Sequence, residues 1–170
     1  LVAAYLRDCG LHVDEDGCGP SIGSTMGNLF ARLPATAEGE PLLLCAHLDT
    51  VPPTAAIEPV VEDGFVRNAA GTILGADDKA AVAAMLEATR RILAESRPHS
   101  GIELLFTPKE EVGLGGAFAF DDTRLEARVG YVYDQAAPIG TVILGAPHSQ
   151  SLDVTFHGRA AHSGMHPDDG

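Results

Sequence analysis

Apolar residues recur at two periods along the chain, and the changes of period divide it into elements. Val2, Tyr5, Leu6 and Cys9 fall at i, i+3, i+4 and i+7, which predicts a helix that Gly10 ends. Residues 11–14 read as a short strand. The glycine-rich run 17–27 lacks the Lys and the strand-to-helix setting of a phosphate loop, so it reads as a turn. Residues 28–33 read as a strand, 34–41 as a turn, and 42–48 as a buried strand that stops at a His-x-Asp pair followed by Pro52-Pro53. A hairpin segment is expected near Phe65, Val66 and Arg67. Val82, Met85, Leu86, Thr89, Ile92 and Leu93 form one helical stripe, closed by Pro98. Residues 102–106 are a buried strand, a short helix follows the glycines at 113–116, and 129–133 is a further strand. Strands alternating with helices predict an α/β sheet covered on both faces. From about residue 141 the pattern turns β-rich, with 151–157 alternating. We therefore expect one domain over 1–146 and the start of a second over 147–170, with the boundary near Pro147.

Composition narrows the function classes. The 170 residues suffice for one α/β domain with a core. Eleven basic against 24 acidic residues give a net charge of −13, which excludes a nucleic-acid surface and an anionic-membrane binder as partners. Cys9, Cys18 and Cys45 have no C-x-x-C spacing, which predicts neither a disulfide framework nor a cysteine zinc site, and points to a reducing compartment, the cytoplasm. No apolar run approaches the roughly 20 residues of a membrane span. The chain starts at Leu1 and stops at Gly170 without a closing element, so we expect a piece of a longer protein.

Acidic and His groups cluster where the predicted strands end. On an extended backbone His47 and Asp49 point to the same side, at the carboxyl end of a strand, where open α/β sheets place their ligands. A carboxylate beside an imidazole can bind one ring N–H and leave the other nitrogen for a metal. Asp77 and Asp78 precede a helix, Glu110 and Glu111 follow the strand 102–106, and Asp134 follows 129–133. Each has a plainer explanation alone: a helix cap for Asp77 or Asp78, a solvated pair for Glu110 and Glu111, a common strand end for Asp134. Together on one sheet edge they would repel, and most would take up protons unless a cation offset them. One His with oxygen ligands suits zinc, with cobalt and manganese as open alternatives. Ser149 and Ser151 lack the setting of a nucleophile elbow, so no Ser/His/Asp triad is expected. The methionines and aromatics read as core.

Four ordered motifs carry a resemblance. His47-Leu48-Asp49-Thr50-Val51, Gly75-Ala76-Asp77-Asp78-Lys79-Ala80, Thr107-Pro108-Lys109-Glu110-Glu111-Val112-Gly113 and Tyr133-Asp134 resemble those of the co-catalytic zinc exopeptidases typified by peptidase T and carboxypeptidase G. Gly158-Arg159-Ala160-Ala161-His162-Ser163-Gly164 is similar to the signature of that family's lid domain, and peptidase T-like hydrolases look closest.

The resemblance implies a three-layer α/β/α catalytic domain with a central mixed, mostly parallel sheet, followed by the start of a smaller α+β lid that mediates homodimerisation when the protein is full length. It implies two zinc ions per full-length subunit. His47 and Asp134 would hold one, Glu111 the other, and Asp77 would bridge both. Asp49 would orient His47, Glu110 would be the general base, and His162 would contact substrate or a dimer partner's site. It also implies a cis peptide between Asp77 and Asp78. The implied reaction is hydrolysis of a di- or tripeptide or a related amide, as by an aminopeptidase. An N-acyl-amino-acid amidohydrolase would use the same metal residues, and a catalytically silent metal-dependent binding module is a rival of another class. Retention of Glu110 and Asp49 speaks against the silent module. The family's last zinc ligand, a later His, has no counterpart here, since His166 belongs to the lid entry. The chain alone is therefore expected to hold the Glu111 metal weakly and to be inactive.

Overall fold

The structure, a computed structural model, describes residues 1–136, 138–148, 150, 152–155 and 157–169. Helix α1 (Val2–Asp8) is followed by strand β1 (Val13–Glu15), a 3-10 turn (Gly19–Ile22), β2 (Leu29–Leu33) and β3 (Leu42–His47). A separate hairpin, β4 (Pro59–Glu62) and β5 (Phe65–Asn68), then leads to α2 (Ala76–Ala94). The remaining elements are β6 (Ile102–Thr107), α3 (Gly115–Ala119), a second 3-10 turn (Asp122–Arg124) and β7 (Val129–Val132).

Five strands form a mixed sheet in the order β1-β2-β6-β3-β7. β2 runs antiparallel to β1 and β6, whereas β3 runs parallel to both β6 and β7. His47 on β3 stands in register with Thr107 on β6, so these strands end together and their loops open at one edge. The period of two sorts the side chains. Leu29, Ala31, Leu33, Leu44, Ala46, Ile102, Leu104 and Phe106 face one side, where Leu6 of α1 and Val82, Met85 and Leu86 of α2 close the core. Burying each large apolar side chain stabilises the fold by about 1.5–3 kcal/mol. The opposite side carries Phe30, in register with Leu105, and Arg32, in register with Glu103. It is covered by the segment after α3, with the rings of Phe30 and Phe120 5.6 Å apart.

The β4–β5 hairpin has no core of its own, and Asn68 orders it instead. The Asn68 side chain accepts from the N–H of Glu58 (2.8 Å) and of Ala70 (3.0 Å) and donates to the carbonyl of Ile73 (2.8 Å). Asp77 and Asp78 depart from helical geometry at the start of α2, and the peptide bond between them is cis.

By its internal contacts the chain divides into Leu1–Ala136 and Ala137–Gly170, earlier than the expected boundary near Pro147. The described residues of the second unit are irregular chain with three short turns, and none is in a strand. A strand needs a neighbour to take its backbone hydrogen bonds, and the segment offers a single alternating run. Ser149 and Ser151 lie outside the described residues. The aromatics also depart from expectation, because Phe65, Phe118, Tyr131 and Tyr133 are exposed.

Candidate functional site

Three strand ends and the start of α2 bring six predicted residues to one edge. His47 closes β3 and is 2% exposed. Its Nε2 lies 3.1 Å from Asp77 Oδ1 and 4.0 Å from Asp134 Oδ1, so one ring nitrogen faces two carboxylates. The other nitrogen, Nδ1, lies 3.5 Å from Asp49 Oδ1 and is buried without a hydrogen-bond partner. Two sets of ligand atoms lie close enough to share a cation: His47 with Asp77 and Asp134, and His47 with Glu110 and Glu111, the atoms of each set within 4.8 Å of one another. His162 belongs to the second unit, where its Nδ1 accepts from the N–H groups of Gly164 and Met165, both at 3.2 Å.

The electrostatics express this crowding. Burial disfavours an imidazolium at His47, but the hydrogen bond to Asp77 and the charges of Asp134, Asp78 and Glu110 outweigh it, and its pKa is raised. Burial and the charge of Asp134 push the Glu110 carboxyl up from the usual glutamate range. Asp78 is pushed up to about 6, first by burial. Lys79, a cation beside these groups, is lowered by burial against the pull of the surrounding carboxylates.

The donor chemistry fits a hard or borderline divalent ion. One imidazole and four carboxylates offer nitrogen and oxygen ligands, and the residual negative charge needs a partner that one His cannot supply.

The sequence profile of Peptidase family M28 matches residues 28–146, a span that includes every member of this cluster. The chain belongs to peptidase family M28. This M28 chain is 39% identical over 163 residues to the uncharacterized protein YqjE of Bacillus subtilis (strain 168), covering 96% of this chain and 44% of that protein. It is 38% identical over 94 residues to Peptidase T of an Exiguobacterium species, covering 55% of this chain and 22% of the relative. Its structure matches the aminopeptidase PepT of Bacillus cereus with a TM-score of 0.77 at 40% identity, over 82% of this chain and 38% of that one. The likeness to peptidase T expected from the motifs is thus borne out, as is the α/β fold. The M28 chain spans less than half the length of these relatives.

Three further residues, two of them inside the quoted motifs, were given no contact by the motif reading. Asp78 is buried and its Oδ2 accepts the backbone N–H of His47 at 3.2 Å. Lys79 donates from Nζ to the carbonyl of Leu48 at 2.8 Å, so consecutive side chains of α2 hold consecutive residues at the end of β3. Asn28, fully buried, donates from Nδ2 to Asp16 Oδ2 (2.8 Å) and to the Gly116 carbonyl (3.0 Å), which fastens the loop after β6. A Cβ at Gly116 would lie 2.5 Å from Pro108, so only glycine allows this approach. Its place at the head of a predicted strand was the sole hint of Asn28, and the Asp-Asp-Lys motif contained the other two.

Proposed function

We propose that the protein carrying this chain is a dinuclear zinc-dependent hydrolase that cleaves a peptide bond of a di- or tripeptide, or a related amide. The observation that supports this most is that His47 forms one candidate ligand set with Asp77 and Asp134 and another with Glu110 and Glu111. The names of two similar proteins, Peptidase T and aminopeptidase PepT, support the substrate class.

His47 and Asp134 would hold one ion, Glu111 the other, and Asp77 would lie between them. When bound, the ions supply Lewis acidity to the scissile carbonyl and to the attacking water, whose pKa zinc can bring from about 15.7 to about 7. The remaining work falls to the chain. The Glu110 carboxylate takes the proton of the attacking water and delivers it to the leaving nitrogen. Asp49 accepts the backbone N–H groups of Glu110 and Glu111. The whole protein is proposed to act as a homodimer on small peptides in the cytoplasm, a compartment in keeping with three free cysteines. Among the described residues no helix is long and apolar enough to cross a membrane.

Replacing Glu110→Gln in the full-length protein tests the assignment. Zinc content should be retained and turnover of di- and tripeptides abolished, whereas surviving turnover would remove Glu110 as base. Cleavage confined to N-acyl amino acids would favour the amidohydrolase. The 170-residue chain alone should bind the second zinc weakly and show no turnover, and two tight sites with activity would contradict that.

A further inference from the structure

We infer that Asp49 is a positioning residue for the Glu110–Glu111 pair, holding the backbones of both with one carboxylate. This rests on the dinuclear reading above and deepens it, because the role expected from the motifs was to orient His47.

Three observations carry the inference. Asp49 Oδ1 accepts the N–H of Glu110 at 2.9 Å and Oδ2 accepts the N–H of Glu111 at 3.2 Å, so each oxygen takes one of two consecutive donors. Against His47 the same carboxylate makes no hydrogen bond, since Nδ1 lies 3.5 Å from Oδ1 and has no partner. The loop is also built to present those two donors. Lys109 adopts a φ of 58°, a left-handed conformation uncommon for a residue with a side chain. Behind it the turn closes on its own carbonyls: the N–H groups of Gly113 and Leu114 donate to Glu110, both at 3.0 Å, and that of Gly115 donates to Lys109 at 2.8 Å.

The consequence is geometric. Fixing two adjacent N–H groups fixes the backbone between them and hence the directions from which the two side chains reach the site. Hydrogen bonds to a carboxylate are roughly twice as strong as neutral ones, which suits a clamp across 61 positions of sequence. Asp49 thereby ties the strand end that carries His47 to the loop that carries the general base.

The test compares Asp49→Ala and the near-isosteric Asp49→Asn with the full-length wild type. Asn keeps one acceptor and turns an NH2 group toward the other N–H, so both variants lose the clamp. In the metal-free protein the amides of Glu110 and Glu111 should exchange hydrogen more than tenfold faster. In zinc titrations Asp49→Asn should add nothing to the affinity already lost in Glu111→Gln, the signature of a shared contact in a double-mutant cycle. Wild-type protection at both amides, or additive losses, would overturn the inference. If the wild type bound no zinc, the dinuclear reading would fall, and the exchange comparison would still decide the role of Asp49.

Discussion

Buried negative charge sits at both edges of the central sheet and is held in opposite ways. Near the start of β6, Glu103 is 2% exposed, yet its carboxyl lies below the usual glutamate range. Burial raises it, but the N–H of Ala127 (3.0 Å), the Arg32 guanidinium (2.7 Å) and the N–H of Glu126 (3.1 Å) together lower it further. At the other edge Asp78 is also buried and is pushed up to about 6, because burial, with the charges of Asp134 and Asp77, outweighs the one backbone donor and the charge of His47. A carboxylate given all its donors by backbone and guanidinium is part of the scaffold. Carboxylates that face one another around a single imidazole repel, and a cation would offset that repulsion.

Substitution should separate the two edges most sharply. Glu103→Ala leaves two backbone N–H groups without their acceptor, while Arg32, partly exposed, keeps the Arg124 carbonyl. The substitution should cost about 2–4 kcal/mol of unfolding free energy. Glu103→Gln, which keeps the shape, should cost about 1–3 kcal/mol. Denaturant unfolding measures both. Asp134→Asn should leave the stability of the metal-free protein within about 0.5 kcal/mol of wild type and weaken zinc binding more than tenfold, about 1.4 kcal/mol. Equal stability losses at both edges would erase the distinction.

Acid should act on the two edges with opposite sign. The lowered pKa of Glu103 contributes stability that is present above about 4.3, its unfolded value, and is lost as pH falls through the folded value. The raised pKa of Asp78 does the reverse in the metal-free protein, where stability is greatest below about 3.9 and declines as pH rises through about 6. The Asp78→Asn variant should lose the decline between those values, and Glu103→Gln the acid loss, both read from unfolding curves across pH.

The smallest effect concerns Cys45, behind the site on β3. Its thiol is pushed up to about 11, first by burial and then by the charges of Asp78 and Asp134. Alkylation near pH 8 should therefore be slow, and zinc should accelerate it modestly by offsetting those charges while leaving the burial unchanged. Equal rates with and without zinc would show that the carboxylate field does not reach the strand.

Local period explains what was legible in the sequence. The run 42–48 reads as a buried strand, and the strand observed ends at His47, with Asp49 just beyond it and its Oδ1 3.5 Å from His47 Nδ1. The stripe on α2 buries Val82, Met85, Leu86 and Thr89 as its spacing requires. Helical periodicity hides the turn of Asp78 toward the His47 N–H, because the backbone at Asp77 and Asp78 is not helical. Asn28 depends on a partner 88 positions away, and no local pattern records such a contact. Phe65 and Tyr131 look like core by type alone, but exposure is decided by what packs on a strand, and their strands lack that cover.

Calorimetric titration of the chelator-treated full-length protein with zinc tests the central claim most directly. Two ions should bind per chain, Asp77→Asn should weaken both events, and His47→Gln should weaken chiefly the one it shares with Asp134. No saturable binding, or binding that survives those two substitutions, would contradict it.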